Sequence, residues 1–100
     1  MAHLESKFQG DLIKELREAY PGCMILKNDA NYLQGVPDLI ILYREHWAML
    51  ESKRAHNSPR QPNQEYYVET LDQMSYAAFI HPGNKEEVLR EIQQVFSSRR

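Results

Sequence analysis

The sequence predicts an α/β domain, a mixed sheet flanked by helices in the order αβββαβα. Three observations carry that expectation. Leu4, Phe8, Leu12 and Leu16 recur every four residues, the spacing of a helix with one buried face. Val88, Leu89, Ile92, Val95 and Phe96 make a second such stripe near the end. Between them lie apolar runs of strand length, two of which form a hairpin from Gly35 to Lys53.

In order, the first helix carries Ile13 and Tyr20 beside its stripe and stops at Pro21-Gly22. Gly10 inside it costs about 1 kcal/mol relative to Ala, a cost that close packing against another element would explain. Cys23 to Lys27 reads as the first strand, and 28–34 as a polar connection. Leu39-Ile40-Ile41-Leu42 is continuously apolar, the pattern of a strand buried on both faces. Arg44-Glu45 is a tight connection, although neither residue favours the positive φ of two-residue turns. In the next strand Trp47, Met49, Glu51 and Lys53 share one face. Ser58-Pro59 and Gln61-Pro62 keep 54–63 irregular. A helix follows from about Asn63, its cap, to Met74, with Tyr67, Leu71 and Met74 on one face. Tyr76 to Ile80 is a strand, and Asn84-x-x-Glu87 resembles a capping box for the last helix.

One hundred residues make a single domain, 1–100, that buries roughly 60–70% of its unfolded surface. Twelve basic against fourteen acidic residues leave a net charge of −2. The chain therefore lacks the footprint of a nonspecific nucleic-acid binder, and binding DNA requires a local basic patch or a metal ion. The single cysteine, Cys23, excludes an intrachain disulfide and cysteine-rich zinc sites. With no signal-peptide pattern at Met1 to Glu5 and no membrane-length apolar run, the expectation is a cytoplasmic or nuclear protein, not a secreted one.

The hairpin is where charge intrudes on apolar pattern. Asp38 heads one strand after Gly35-Val36-Pro37, and Glu51 and Lys53 end the other. Two neighbouring carboxylates repel unless something positive lies between them. A hard cation such as Mg²⁺ suits two carboxylates, a backbone carbonyl such as that of Ser52, waters and phosphate oxygens. It lowers the pKa of bound water and polarises a phosphoryl group, and Lys53 would stabilise charge beside it. The plain alternative is a structural ion pair between Glu51 and Lys53. The loop after Lys53 adds Arg54, His56 and Arg60, the densest positive patch in the chain. Cys23 reads as a small core residue, and the four histidines lack ligand spacing.

Gly35-Val36-Pro37-Asp38 followed by Glu51-Ser52-Lys53 resembles the PD-(D/E)xK nuclease signature. More narrowly, the chain is similar to the virus-type replication-repair nuclease (VRR-NUC) family. Glu5-x-x-Phe8-Gln9 resembles that family's leading Glu-x-x-(apolar)-Gln, and Gln64 falls where the family places a glutamine after a Ser/Pro-bearing loop. The loop before Gln64 departs from the pattern, lacking glycines and carrying Gln61-Pro62.

The resemblance implies a restriction-endonuclease-like core and a Mg²⁺- or Mn²⁺-dependent DNA endonuclease. Asp38 and Glu51 would be metal ligands with the Ser52 carbonyl, Glu5 would complete the shell, Lys53 would be the catalytic lysine and Gln64 would orient it. Lys53, Arg54 and Arg60 would meet DNA phosphates. Compact stand-alone members form homodimers that cut branched DNA such as Holliday junctions. The rival expectation is a nuclease-like module that binds DNA or a protein partner and no longer cuts.

Overall fold

The structure, a computed structural model, describes residues 2–29 and 32–98, with side chains from Ser6 onward. Helix α1 spans Ala2–Ala19, strands β1, β2 and β3 span Met24–Lys27, Leu39–Tyr43 and His46–Ser52, helix α2 Pro62–Met74, strand β4 Ala77–Ile80 and helix α3 Lys85–Ser97. This is the αβββαβα order expected from the periodicity. The four strands form one open sheet in sequence order, antiparallel from β1 to β3 and parallel between β3 and β4.

One face of the sheet carries the core. Leu39 and Ile41 of β2, Ala48 and Leu50 of β3 and Ile80 of β4 pack with Leu12 and Leu16 of α1 and with Val88, Ile92 and Phe96 of α3. Tyr20, Tyr43 and Phe96 close the end beside the β2–β3 turn, their ring centroids 5.0 to 5.6 Å apart. Arg44 makes that turn in the left-handed region, φ 57°, which costs about 1–2 kcal/mol, and its guanidinium lies 4.9 Å from the Tyr43 ring centre. Gly22 takes φ 89° as α1 ends.

The opposite face is only partly covered: α2 packs on β3 and β4, while Met24 and Leu26 of β1 and Leu42 of β2 stay exposed. The apolar run 39–42 is thus buried on one face and not on both: Leu42 is 36% exposed and Ile40 half-buried. Across strands the register builds two apolar rows, Met24–Leu42–Trp47 and Leu26–Ile40–Met49. Met24 is 59% and Leu26 44% exposed.

Three local expectations are corrected. Gly10 is exposed, and an added Cβ would meet nothing within 4 Å, so packing does not explain it. Helix α2 starts with Pro62 at its first position after Gln61 in extended conformation, an arrangement that suits a residue without an N–H, so Asn63 is not the cap. Asn84 does not form a capping box. Its Oδ1 accepts from the His81 amide at 2.9 Å and its Nδ2 donates to the Phe79 carbonyl at 3.0 Å, which ties α3 to the end of β4.

Candidate active site

The site gathers at the end of the β2–β3 hairpin away from its turn. Gly35, at φ 94°, turns the chain so that Pro37 and Asp38 enter β2, and Asn28 fixes that entry from the end of β1. The Asn28 Nδ2 donates to the Pro37 carbonyl at 2.6 Å and the Asn28 amide to the Asp38 carbonyl at 3.0 Å. Because Leu39 pairs with Leu50, Asp38 stands across from Glu51. Each carboxylate is held by a glutamine from a different helix, Asp38 by Gln9 of α1 and Glu51 by Gln64 of α2.

On the α1 side, Gln9 Nε2 donates to Asp38 Oδ2 at 3.0 Å and to Ser52 Oγ at 3.2 Å, while the Ser52 amide donates to Asp38 Oδ1 at 3.1 Å. Ser52 is almost wholly buried. Its N–H points toward β2, and in an antiparallel ladder the N–H and C=O of one residue face the same neighbour, so the Ser52 carbonyl is directed to the Asp38 side.

On the α2 side, Gln64 Nε2 donates to Glu51 Oε2 at 3.1 Å, and Gln64 Oε1 accepts from Lys53 Nζ at 2.9 Å and from the Gln61 amide at 3.0 Å. Gln64 therefore serves the helix start and the site together. Lys53 Nζ also donates to the Pro59 carbonyl at 2.9 Å and lies 4.0 Å from Glu51 Oε2. Glu51 is 8% exposed, so its charge is largely withdrawn from water, where attraction to a cation is strengthened. The pairing of Glu51 with Phe79, and the Lys53 amide donating to the Ile80 carbonyl at 2.8 Å, lock this strand end to β4.

Of the residues singled out in the sequence, the structure brings Asp38, Glu51, Ser52, Lys53 and Gln64 together. The Glu5 side chain lies outside the described residues. Arg54 is exposed in the loop after β3, and Arg60 is stacked on Phe79, its guanidinium carbon 3.9 Å from the ring centre. Sequence reasoning missed Phe79 and the approach of His56 to His81, whose ring centres are 6.2 Å apart. No spacing signals either contact, since each joins a loop to β4 or its end.

Among the described residues no three His, Cys, Asp or Glu side chains converge. Of the expected ligands, the described residues would offer a cation the Asp38 and Glu51 carboxylates and the Ser52 carbonyl. That all-oxygen set, beside a single ammonium, fits Mg²⁺ or Mn²⁺, which keep several waters and share their shell with phosphate. Comparison with known protein families, curated proteins and solved structures gives no match. Among the described residues no helix is long and apolar enough to cross a membrane.

Proposed function

We propose that this chain is a metal-dependent, structure-selective DNA endonuclease of the VRR-NUC type, with a restriction-endonuclease-like core. The carrying observation is the chain of bonds Glu51–Gln64–Lys53 standing across from Asp38. A structural ion pair needs neither a half-buried glutamine bridging acid and base nor a second carboxylate at the head of the next strand.

Asp38, Glu51 and the Ser52 carbonyl would hold a Mg²⁺ or Mn²⁺ ion. Such an ion supplies charge neutralisation at a phosphodiester and a water of lowered pKa. The remaining work falls to the chain itself. Gln9 fixes the Asp38 carboxylate and Gln64 fixes that of Glu51, so neither must reorganise when a charged substrate arrives. Gln64 and Pro59 hold the Lys53 ammonium at the site edge, where it stabilises negative charge on the phosphoryl oxygens. Arg54 and Arg60 extend that positive margin toward the DNA backbone.

A homodimer fits the reading. The rows Met24–Leu42–Trp47 and Leu26–Ile40–Met49, exposed at Met24, Leu26 and Leu42 and half-buried at the other three, carry no charge. They therefore match themselves about a two-fold axis without like-charge repulsion. Stable interfaces bury about 800 Å² per partner around an apolar centre with a polar rim, and these six side chains supply such a centre. Branched DNA, cut on paired strands by paired sites, is the substrate class this implies.

The test is cleavage of a four-way junction, a flap and linear duplex with Mg²⁺, Mn²⁺ or EDTA, beside Asp38→Ala and Lys53→Ala. Metal-dependent cutting of branched DNA, lost in both variants, is expected. Cutting in EDTA, or full activity in both variants, defeats the mechanism, and binding without cutting leaves a non-catalytic module. Sedimentation of the wild type against Leu26→Glu/Leu42→Lys tests the dimer: a dimer is expected, reduced to a folded monomer by the double substitution.

A further inference from the structure

Beyond the carboxylate site, the structure holds a second group of nitrogen donors at the ends of β3 and β4. His81 follows β4, is 9% exposed, and accepts a bond from the Gly83 amide at Nδ1, 3.0 Å away. A neutral imidazole accepting at one nitrogen carries its proton on the other, so His81 presents a fixed Nε2–H. The exposed His56 ring, from the loop after β3, lies against it. Arg60 is held flat on Phe79, and the same ring lies 6.0 Å from Lys53 Nζ. Phe79 thus lies near both Arg60 and the proposed catalytic lysine. Burial, then the neighbouring His56 and Arg60, push the His81 pKa down. Glu65, itself exposed, lies 4.0 Å from Arg60.

We propose that His56, His81 and Arg60 form an anion subsite that takes a phosphodiester of the nucleic-acid backbone next to the one being cut. This rests on the nuclease reading for its substrate and deepens it. Three arguments favour a backbone phosphate. The donors are a guanidinium and imidazoles, suited to phosphate oxygens. They are held by partners of their own, Phe79 for Arg60 and Gly83 for His81, before any ligand arrives. His56 and Arg60 also oppose protonation of His81, and an anion between them removes that opposition.

The experiment follows the imidazole C2–H signals of His56 and His81 by NMR, assigned with His56→Gln and His81→Gln. Full-length protein is titrated in Ca²⁺ with a short DNA duplex or with inorganic phosphate at equal phosphate concentration. Both signals should move with duplex, the His81 pKa should rise, and phosphate alone should do much less. In salt-dependent binding to the same duplex, Arg60→Gln should flatten the slope of log K against log salt by about 0.9. Unmoved histidine signals at saturating duplex, or an unchanged slope in Arg60→Gln, overturn the subsite even if the protein cuts DNA. Equal responses to phosphate and duplex make it a free-anion site and overturn the backbone assignment. Moving signals in a protein that never cuts support the subsite and defeat the nuclease reading.

Discussion

Gly35 and Asn63 leave no room between them: a Cβ built on Gly35 would lie 2.7 Å from Asn63 Cγ. Through that contact the turn that delivers Asp38 rests against the first turn of α2, which delivers Gln64. Gly35 also has φ 94°, a conformation that side chains oppose. Gly35→Ala should therefore destabilise the fold by about 2–4 kcal/mol, from backbone strain of about 1–2 kcal/mol plus the overlap. Denaturant unfolding measures the loss. Adding Asn63→Gly should recover the overlap share and leave the backbone share, so a double variant no better than Gly35→Ala would show that the contact carries no strain.

Gln64 sits among an acid, a base and a helix start, and removing it leaves partners in a site with little access to water. Gln64→Ala should cost about 1–3 kcal/mol of stability, because Glu51 Oε2 and Lys53 Nζ each lose a bond. Gln64→Glu keeps the acceptor for Lys53 but sets a carboxylate against Glu51, so it should gain stability as pH falls toward the carboxylate range. Cleavage should fall in both variants. Thermal melts at two pH values beside cleavage rates check this, and a Gln64→Ala protein with unchanged melting and rate would reduce Gln64 to a helix-start residue.

The element order was legible because each helix carries a 3.6-residue stripe and each strand a short apolar run, signals that survive without tertiary context. The cluster of Asp38, Glu51, Ser52 and Lys53 was legible for a related reason. A hairpin with a two-residue turn has one register, so its ends meet wherever the sequence places charges. What escaped depends on elements distant in the chain. Leu42 reads as core until α2 is seen to stop at β3, and Asn84 does precede the first residue of α3 but gives its side chain to the His81 amide and the Phe79 carbonyl instead of to a capping box. Arg60 on Phe79 and His56 beside His81 join a loop to β4 or its end, where no periodicity reaches. Asn63 was read as a cap from residue type alone, whereas Pro62 had already fixed the helix start one residue earlier.

Gly10 gives the simplest stability prediction. It lies on the exposed side of α1, between Gln9, which grips Asp38, and Asp11, which pairs with Lys7 at 3.3 Å. Nothing within 4 Å opposes a methyl group there, so Gly10→Ala should stabilise the protein by about 1 kcal/mol. A higher urea midpoint with an unchanged slope would show it. A lower midpoint would mean that α1 needs the glycine for a reason outside helix propensity.

His81 should make stability fall on the acid side of neutrality. Its pKa is pushed below 6.5 by burial first and by His56 and Arg60 next. Between the folded and unfolded values the unfolded chain binds more protons, so stability rises with pH in that window. The contribution is complete above about pH 6.5 and is lost as pH falls through the depressed folded pKa. Unfolding free energies from pH 7 down to pH 5.5, above most carboxylate titration, should therefore decline in the wild type. His81→Gln should decline less, since a carboxamide can still accept from the Gly83 amide but has no proton to gain. His56→Gln should shrink the decline only partly, because it removes a neighbouring charge and leaves the burial of His81 in place. Equal declines in wild type and His81→Gln would assign the acid sensitivity to other groups.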